Sequence, residues 1–230
     1  MTPAEGGWRI VIVDQAETMN PNAANALLKI LEEPHARSLL ILVTQAAGRL
    51  LPTLRSRCRR LDVPPLPAGI VAELLAQHAP ELATDARAAI AALAGGSIGQ
   101  ALDIAAADGL ELYKILLGII DARKASGEAM HALADRVGGS AATAQAEFRL
   151  FLDLAQRLAS ECARSGAGAV NSTGFAEEDS VVARLAARGP EAWLAAWDRI
   201  KQLNSATDGL NLDRRQTALN TLFALRSAAG

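Results

Sequence analysis

The chain has 230 residues, half of them apolar and only 3% aromatic, with 23 Lys and Arg against 25 Asp and Glu and a formal charge of −2. Such a length suffices for roughly two or three modest cores, and an Ala- and Leu-rich, aromatic-poor composition favours packed helices over a sandwich or barrel. A charge near zero excludes a global field that would hold the chain on DNA or an anionic membrane, and no apolar run reaches transmembrane length.

The opening stretch "MTPAEGG" lacks the basic and apolar regions of a signal peptide, so a cytoplasmic location is expected. Trp8 to Val13 and Leu39 to Thr44 are short runs rich in Ile, Val and Leu, which predicts two strands buried on both faces. Between them the pattern predicts a helix: Asn20 caps it, Pro21 suits its first position, Leu27, Leu28 and Leu31 give it an apolar face, and Pro34 helps stop it. A strand, helix, strand unit implies parallel strands with a right-handed crossover. A third short strand is expected at Arg60 to Val63.

"VPPLPAG" (Val63 to Gly69) ends this pattern, because its prolines deny the backbone helical donors. A domain boundary is expected there, giving an α/β part over residues 1–64. Three short helices follow, over roughly Ala68 to Gln77, Thr84 to Ala94 and Ile98 to Ala106, forming a small domain over 65–108. Residues 109–230 read as a helical bundle. Tyr113, Leu116, Leu117 and Ile120 mark one face, and Phe148, Phe151, Leu152, Ala155 and Cys162 another. A Gly/Ser-rich loop, Ser165 to Gly174, interrupts the bundle. Trp193, Trp197 and Ile200 mark a later helix and Leu219, Leu222 and Phe223 the last, and no internal repeat is visible. The fold class is therefore mainly α with a small α/β part.

"RIVIVDQAE" has the form of a Walker B element, an apolar strand ending in Asp14, whose carboxylate suits a magnesium ion. A hydrolysing site places a second carboxylate next to it to polarise the attacking water. Here that position is Gln15, and an amide is not a useful base at neutral pH. Glu17 is either a substitute for that carboxylate or a surface acid at a helix start. The phosphate cradle G-x-x-x-x-G-K-[ST] cannot be written anywhere in the chain, since no Gly is followed by Lys.

"RLLPTLRSRCRR" carries Arg49, Arg55, Arg57, Arg59 and Arg60 without an acid. Three readings are open at this point: a solvated basic face, an arginine reaching a neighbour's γ-phosphate, or a DNA contact with few aromatics to stack on bases. His35, His78 and His131 are scattered without metal spacing, and Cys58 and Cys162 are too few for a zinc site. Both are expected to be thiols in a reducing compartment, and Cys58 lacks the His or Asn motif of a thiol enzyme. No metal or cofactor site is expected.

"VDQAETMNPNAANALLKILEEP" (Val13 to Pro34) and "LLILVTQAAGRLLPTLRSRCRRLDVPPL" (Leu39 to Leu66) closely resemble the AAA+ subunits of the bacterial replicative clamp loader, and most closely the delta-prime family of DNA polymerase III. The most specific parts are "NALLKILEEP" (Asn25 to Pro34) and the "SRC" triplet Ser56, Arg57, Cys58. The resemblance covers residues 8 to about 66 at motif level. It implies a partial AAA+ α/β domain over 1–64, a three-helix lid over 65–108 and an oligomerising helical collar over 109–230, with "GLNLDRRQTALNTLF" (Gly209 to Phe223) as the last collar helix.

The resemblance further implies that Arg57 is an arginine finger acting in trans on a neighbouring subunit, that Thr44 or Gln45 is the first sensor, and that Asp14 and Gln15 form a degenerate Walker B. Motor subunits carry a second-sensor arginine in a pattern like "GSLRDAL"; here "GSIGQAL" (Gly96 to Leu102) places Gly99 there. Members of the family normally begin with a P-loop-like half domain, often with a cysteine zinc module. Neither is in this chain, which reads as a fragment, a misplaced start or a shortened paralogue.

The implied function is a stator of the DNA polymerase III holoenzyme that does not itself hydrolyse ATP. Its partners would be the motor (gamma/tau) and delta subunits, neighbour-bound ATP, and through the complex the sliding clamp and primed DNA. Two alternatives are an ATPase motor whose missing half supplies the P-loop, and a purely structural collar adaptor.

Overall fold

The computed structural model describes residues 7–122, 127–139, 142–169, 174–210 and 213–230, which divide into two compact units, Met1–Pro64 and Pro65–Gly230. The chain is mainly helical with one small parallel sheet, as its composition implies.

In the first unit, strand β1 (Arg9–Val13) is followed by helix α1 (Pro21–Glu32), strand β2 (Ser38–Leu42) and the single-turn helix α2 (Pro52–Arg55). The strands pair in parallel from Arg9 opposite Ser38 to Val13 opposite Leu42. Asn20 caps α1 as expected, its Oδ1 accepting from the Ala23 backbone N–H at 2.8 Å, while Pro21 takes a position where a donor would be orphaned anyway.

Two expectations about the sheet are overturned. The strands are not buried on both faces: Ile12 on one face of β1 is 65% exposed and Val11 on the other 40% exposed. Arg60 to Val63 forms no strand either, and Leu61 is 85% exposed. The cause is the same for both. Among the described residues the sheet has two strands only, so Arg60 to Val63 has no partner ladder, and α1 and α2 are the only α-helices this unit has to cover two faces. A two-stranded sheet is marginal by itself in water. Hydrogen exchange should therefore show lower protection for the β1 and β2 amides than for those of the long helix at Phe151 and Leu152; equal protection would contradict the burial argument.

The second unit contains α3 (Ala68–His78), α4 (Thr84–Leu93), α5 (Ile98–Ala106), α6 (Gly109–Asp121), α7 (Gly127–Val137), α8 (Ala142–Gly166), α9 (Ala176–Leu185), α10 (Pro190–Leu210) and α11 (Arg214–Ala229). One continuous core runs through it from Val71 to Ala229, so residues 65–108 and 109–230 share buried surface. The periodic faces read from sequence are the faces that pack. Tyr113, Leu116, Leu117 and Ile120 of α6 and Phe148, Phe151, Leu152, Ala155 and Cys162 of α8 are all buried. Burial pushes the Cys162 thiol up to about 12, which makes it an apolar filler and not a nucleophile. Trp193 is fully buried and its indole N–H donates to the Leu185 carbonyl at 3.2 Å, satisfying the polar tip of an apolar side chain. Phe223 departs from expectation at 58% exposed: on α11 the buried stripe passes through Leu219, Leu222 and Leu225 and leaves Phe223 outside. Residues 170–173 of the Gly/Ser-rich loop and 211–212 ahead of α11 lie outside the described residues.

A buried polar cluster crosses this core. Glu178 of α9, fully buried, accepts both Arg157 Nε at 3.1 Å and Nη2 at 3.0 Å, and also the Tyr113 hydroxyl. Arg157 Nη1 donates to the Leu93 carbonyl at 3.3 Å, closing the carboxyl end of α4. Residues of α4, α6, α8 and α9 thus meet around one buried ion pair, α4 through the Arg157 guanidinium and α6 through the Glu178 carboxylate.

The turn between α4 and α5 has no room for a side chain at Gly96. Its φ is +86°, and a Cβ there would fall 2.5 Å from Pro65 Cβ and 2.7 Å from the Leu66 carbonyl oxygen, while the Gly96 carbonyl accepts from the Leu66 N–H at 3.0 Å. Gly96→Ala should destabilise the chain by about 2–3 kcal/mol, from the left-handed backbone and the clash together. A denaturation midpoint unchanged from wild type would show that the loop relaxes freely.

Candidate functional site

Parallel strands bring their carboxyl ends to one edge, and here that edge holds the residues singled out from sequence as Walker B and sensor. β1 ends one residue before Asp14. The chain then turns at once, because Gln15 takes a left-handed conformation (φ 48°, ψ 46°) and the Ala16 N–H donates to the Val43 carbonyl at 2.9 Å. The Asp14 Oδ1 accepts from the Gln15 N–H at 2.8 Å, and the Thr18 hydroxyl donates to the Gln15 carbonyl, also at 2.8 Å. A non-glycine residue in this region is strained by roughly 1 kcal/mol or more, and sequence pattern alone did not reveal it.

Glu17 faces β2's end. Its Oε1 accepts from the Gln45 N–H at 3.3 Å, and its carboxyl is held below the usual range by its own backbone N–H first, then by the Thr44 hydroxyl, with the Gln45 N–H and the Arg49 guanidinium adding to the effect against desolvation. Of the two readings left open for Glu17, this geometry describes a carboxylate engaged with the segment holding Thr44 and Gln45. The Thr44 hydroxyl also accepts from the Ala46 N–H at 3.1 Å.

Arg57 lies elsewhere. α2 begins at Pro52 and is pinned by Leu54, which is 1% exposed. One turn leaves its last carbonyls without helical donors, and the triplet supplies them: the Ser56 hydroxyl donates to the Thr53 carbonyl at 3.0 Å and Arg57 Nη1 to the same oxygen at 3.2 Å. Cys58 is half-buried with a free thiol. Arg57 Nη2 makes an ion pair with Glu32 Oε1 at 2.8 Å, the two side chains being 39% and 50% exposed. The arginine-rich stretch is therefore not one uniform basic face. Arg49 approaches Glu17, Arg57 meets Glu32, and Arg60 Nε donates to Asp62 at 2.7 Å.

These placements define two ends of the unit. α1 must run back from the carboxyl end of β1 to the amino end of β2, so Glu32, its last residue, sits at the opposite end from Asp14. The 12 residues of α1 span about 18 Å. An arginine side chain does not bridge that length. Arg57 and Asp14 are thus brought to separate places, not to one pocket. Glu32 was missed from sequence because it lies 25 positions from Arg57; the only signal was the pair of acids Glu32 and Glu33 at a helix end that disfavours negative charge. In the second unit, Gly99 is exposed near the start of α5, and a Cβ there would meet only the Ser97 hydroxyl oxygen, at 3.8 Å.

Residues 1–67 of the chain match the family model described as "DNA polymerase III, delta subunit". The DNA polymerase III subunit delta' of Pseudomonas aeruginosa is 45% identical over 92 residues, which are 40% of this chain and 28% of that protein. The corresponding subunit of Escherichia coli K12 is 39% identical over 111 residues, 48% of this chain and 33% of that protein. The chain spans about a third or less of the length of these relatives. Among solved structures, a DNA polymerase III gamma subunit-related protein from Thermotoga maritima covers 100% of this chain and 76% of its own length at 23% identity, with a TM-score of 0.43. No helix among the described residues is long and apolar enough to cross a membrane.

Proposed function

We propose that this chain is a non-hydrolysing subunit of the cytoplasmic clamp loader of DNA polymerase III, in which Arg57 serves ATP bound to a neighbouring motor subunit. In this reading residues 1–64 present the finger, 65–108 act as a lid and 109–230 as an oligomerising collar. Motor (gamma/tau) and delta subunits are its partners, and the complex acts on the sliding clamp and primed DNA. Ser56 and Cys58 seat the finger, Thr44 or Gln45 stands at the sensor position, and Asp14 with Gln15 is a Walker B that has lost its base.

The observation that carries the reading is the separation of Arg57 from Asp14 by the length of α1. An arginine so placed cannot serve a nucleotide at its own strand ends, whereas it can stabilise charge on a phosphoryl group held by another chain. Gln15 beside Asp14 and the exposed Gly99 both argue against a motor. The in-chain partner Glu32 is what favours the second reading, a structural adaptor whose arginine only braces its own fold.

Mixing the purified chain with motor and delta subunits from the same source and measuring mass by size exclusion with light scattering tests assembly. DNA-stimulated ATPase of that assembly with Arg57→Ala then separates the readings, since the stator loses activity and the adaptor does not. Absence of any complex, with the helical unit folded, overturns both.

A further inference from the structure

The placement of Glu32 is odd as helix chemistry. It is the last residue of α1, where the carbonyl ends make a negative pole and a carboxylate is unfavourable. What it touches there is Arg57 Nη2, at 2.8 Å, while the other terminal nitrogen of the same guanidinium, Nη1, donates to the Thr53 carbonyl at 3.2 Å. Two elements, α1 and α2, therefore hold one side chain at two of its nitrogens. We infer that Glu32 is a positioning residue for Arg57, holding the guanidinium in the orientation from which it meets a phosphoryl group of a nucleoside triphosphate on a neighbouring chain. The inference rests on the trans-arginine reading given above.

Three features make the grip suited to positioning and not to permanent burial. Both partners keep much of their surface in water, so the pair is weak enough for a polyanionic phosphate to compete with it. Arg57 engages only two of its five N–H donors in these contacts, leaving the remainder of the planar fork available for bidentate contact. An unrestrained arginine would lose much side-chain freedom on meeting a phosphate, whereas one already fixed at two points loses less. The length of α1 matters as well, because it sets Glu32 at the far end of the unit and so holds the arginine away from Asp14.

The test uses the assembled loader carrying Glu32→Gln, Arg57→Ala or both, with DNA-stimulated ATPase as the readout and complex mass and denaturation midpoint as controls. Glu32→Gln removes the charge at constant size. It should lower kcat roughly threefold to tenfold with KM for ATP unchanged, because the nucleotide is bound by the neighbour and the arginine acts in the transition state. In the Arg57→Ala background the same change should add nothing. A Glu32→Gln loader as fast as wild type overturns the inference while leaving the finger intact, as does a loss repeated in full in the Arg57→Ala background. If Arg57→Ala itself leaves the rate unchanged, the trans-arginine reading falls and this inference with it.

Discussion

Replacing Glu178 with alanine should lower the unfolding free energy of the chain by about 3–5 kcal/mol, the range for removing one partner of a buried ion pair. The carboxylate is fully buried and is the acceptor for Arg157 Nε and Nη2 and for the Tyr113 hydroxyl. Without it, an arginine side chain only 19% exposed keeps its charge in the core with the Leu93 carbonyl as its remaining acceptor here. Burial works against that charge, and at present the hydrogen bonds and charge of Glu178 outweigh it. Tyr113 is held protonated, its pKa well above 10.0, by burial first and then by the charge of Glu178.

Tyr113→Phe removes one neutral donor to that charged carboxylate and should cost less, about 1.5–3 kcal/mol. Urea denaturation followed by circular dichroism measures both variants. A Glu178→Ala cost under about 1 kcal/mol would mean that water enters and satisfies Arg157, and that the cluster is less dry than its burial implies.

Under the trans-arginine reading proposed above, Arg57→Ala should show the opposite profile, with little loss of stability but a loss of about 10³-fold or more in the ATPase of the assembled complex. The stability half follows from exposure: the pair with Glu32 lies in water, and such pairs contribute about 0–1 kcal/mol. The activity half follows from charge developing on the transferred phosphoryl group, where water is excluded and a fixed cation is worth far more than at a free surface. Arg57→Lys should recover little, since an ammonium keeps the charge and loses the planar fork. Steady-state ATPase with primed DNA, at matched complex mass, reads all three proteins. Wild-type rates from the alanine variant would leave the adaptor as the surviving reading.

The two clusters differ in how visible they are along the chain. Local chemistry was legible: Asn20 and Pro21 at the start of α1, the prolines after Val63, and the apolar faces of α6 and α8 at Tyr113, Leu116, Phe151 and Leu152 all follow from interactions within a few residues. Asp14, Gln15 and the Ser56-Arg57-Cys58 triplet were legible as motifs. Partnerships across the chain were not. Glu32 meets Arg57 from 25 positions away, Glu17 meets Gln45 from 28, and Glu178 meets Tyr113 from 65.

The sheet shows the same limit from the other side. Ile- and Val-rich runs determined that β1 and β2 would form and pair in parallel, because β-branched side chains and a short helical crossover are local properties. Whether their faces would be covered was not local, and the tertiary structure leaves Ile10 and Ile12 exposed where the composition of the strand alone suggested burial. The sequence by itself thus determined β1, β2 and the helices, together with the Asn20 cap of α1, but not the absence of a strand at Arg60 to Val63. Only the tertiary structure decided that Arg57 stands a helix length from Asp14 and is gripped by Glu32, and that the ion pair of Arg157 and Glu178 gathers four helices, because distances between residues far apart in the chain are set by packing and not by neighbours in sequence.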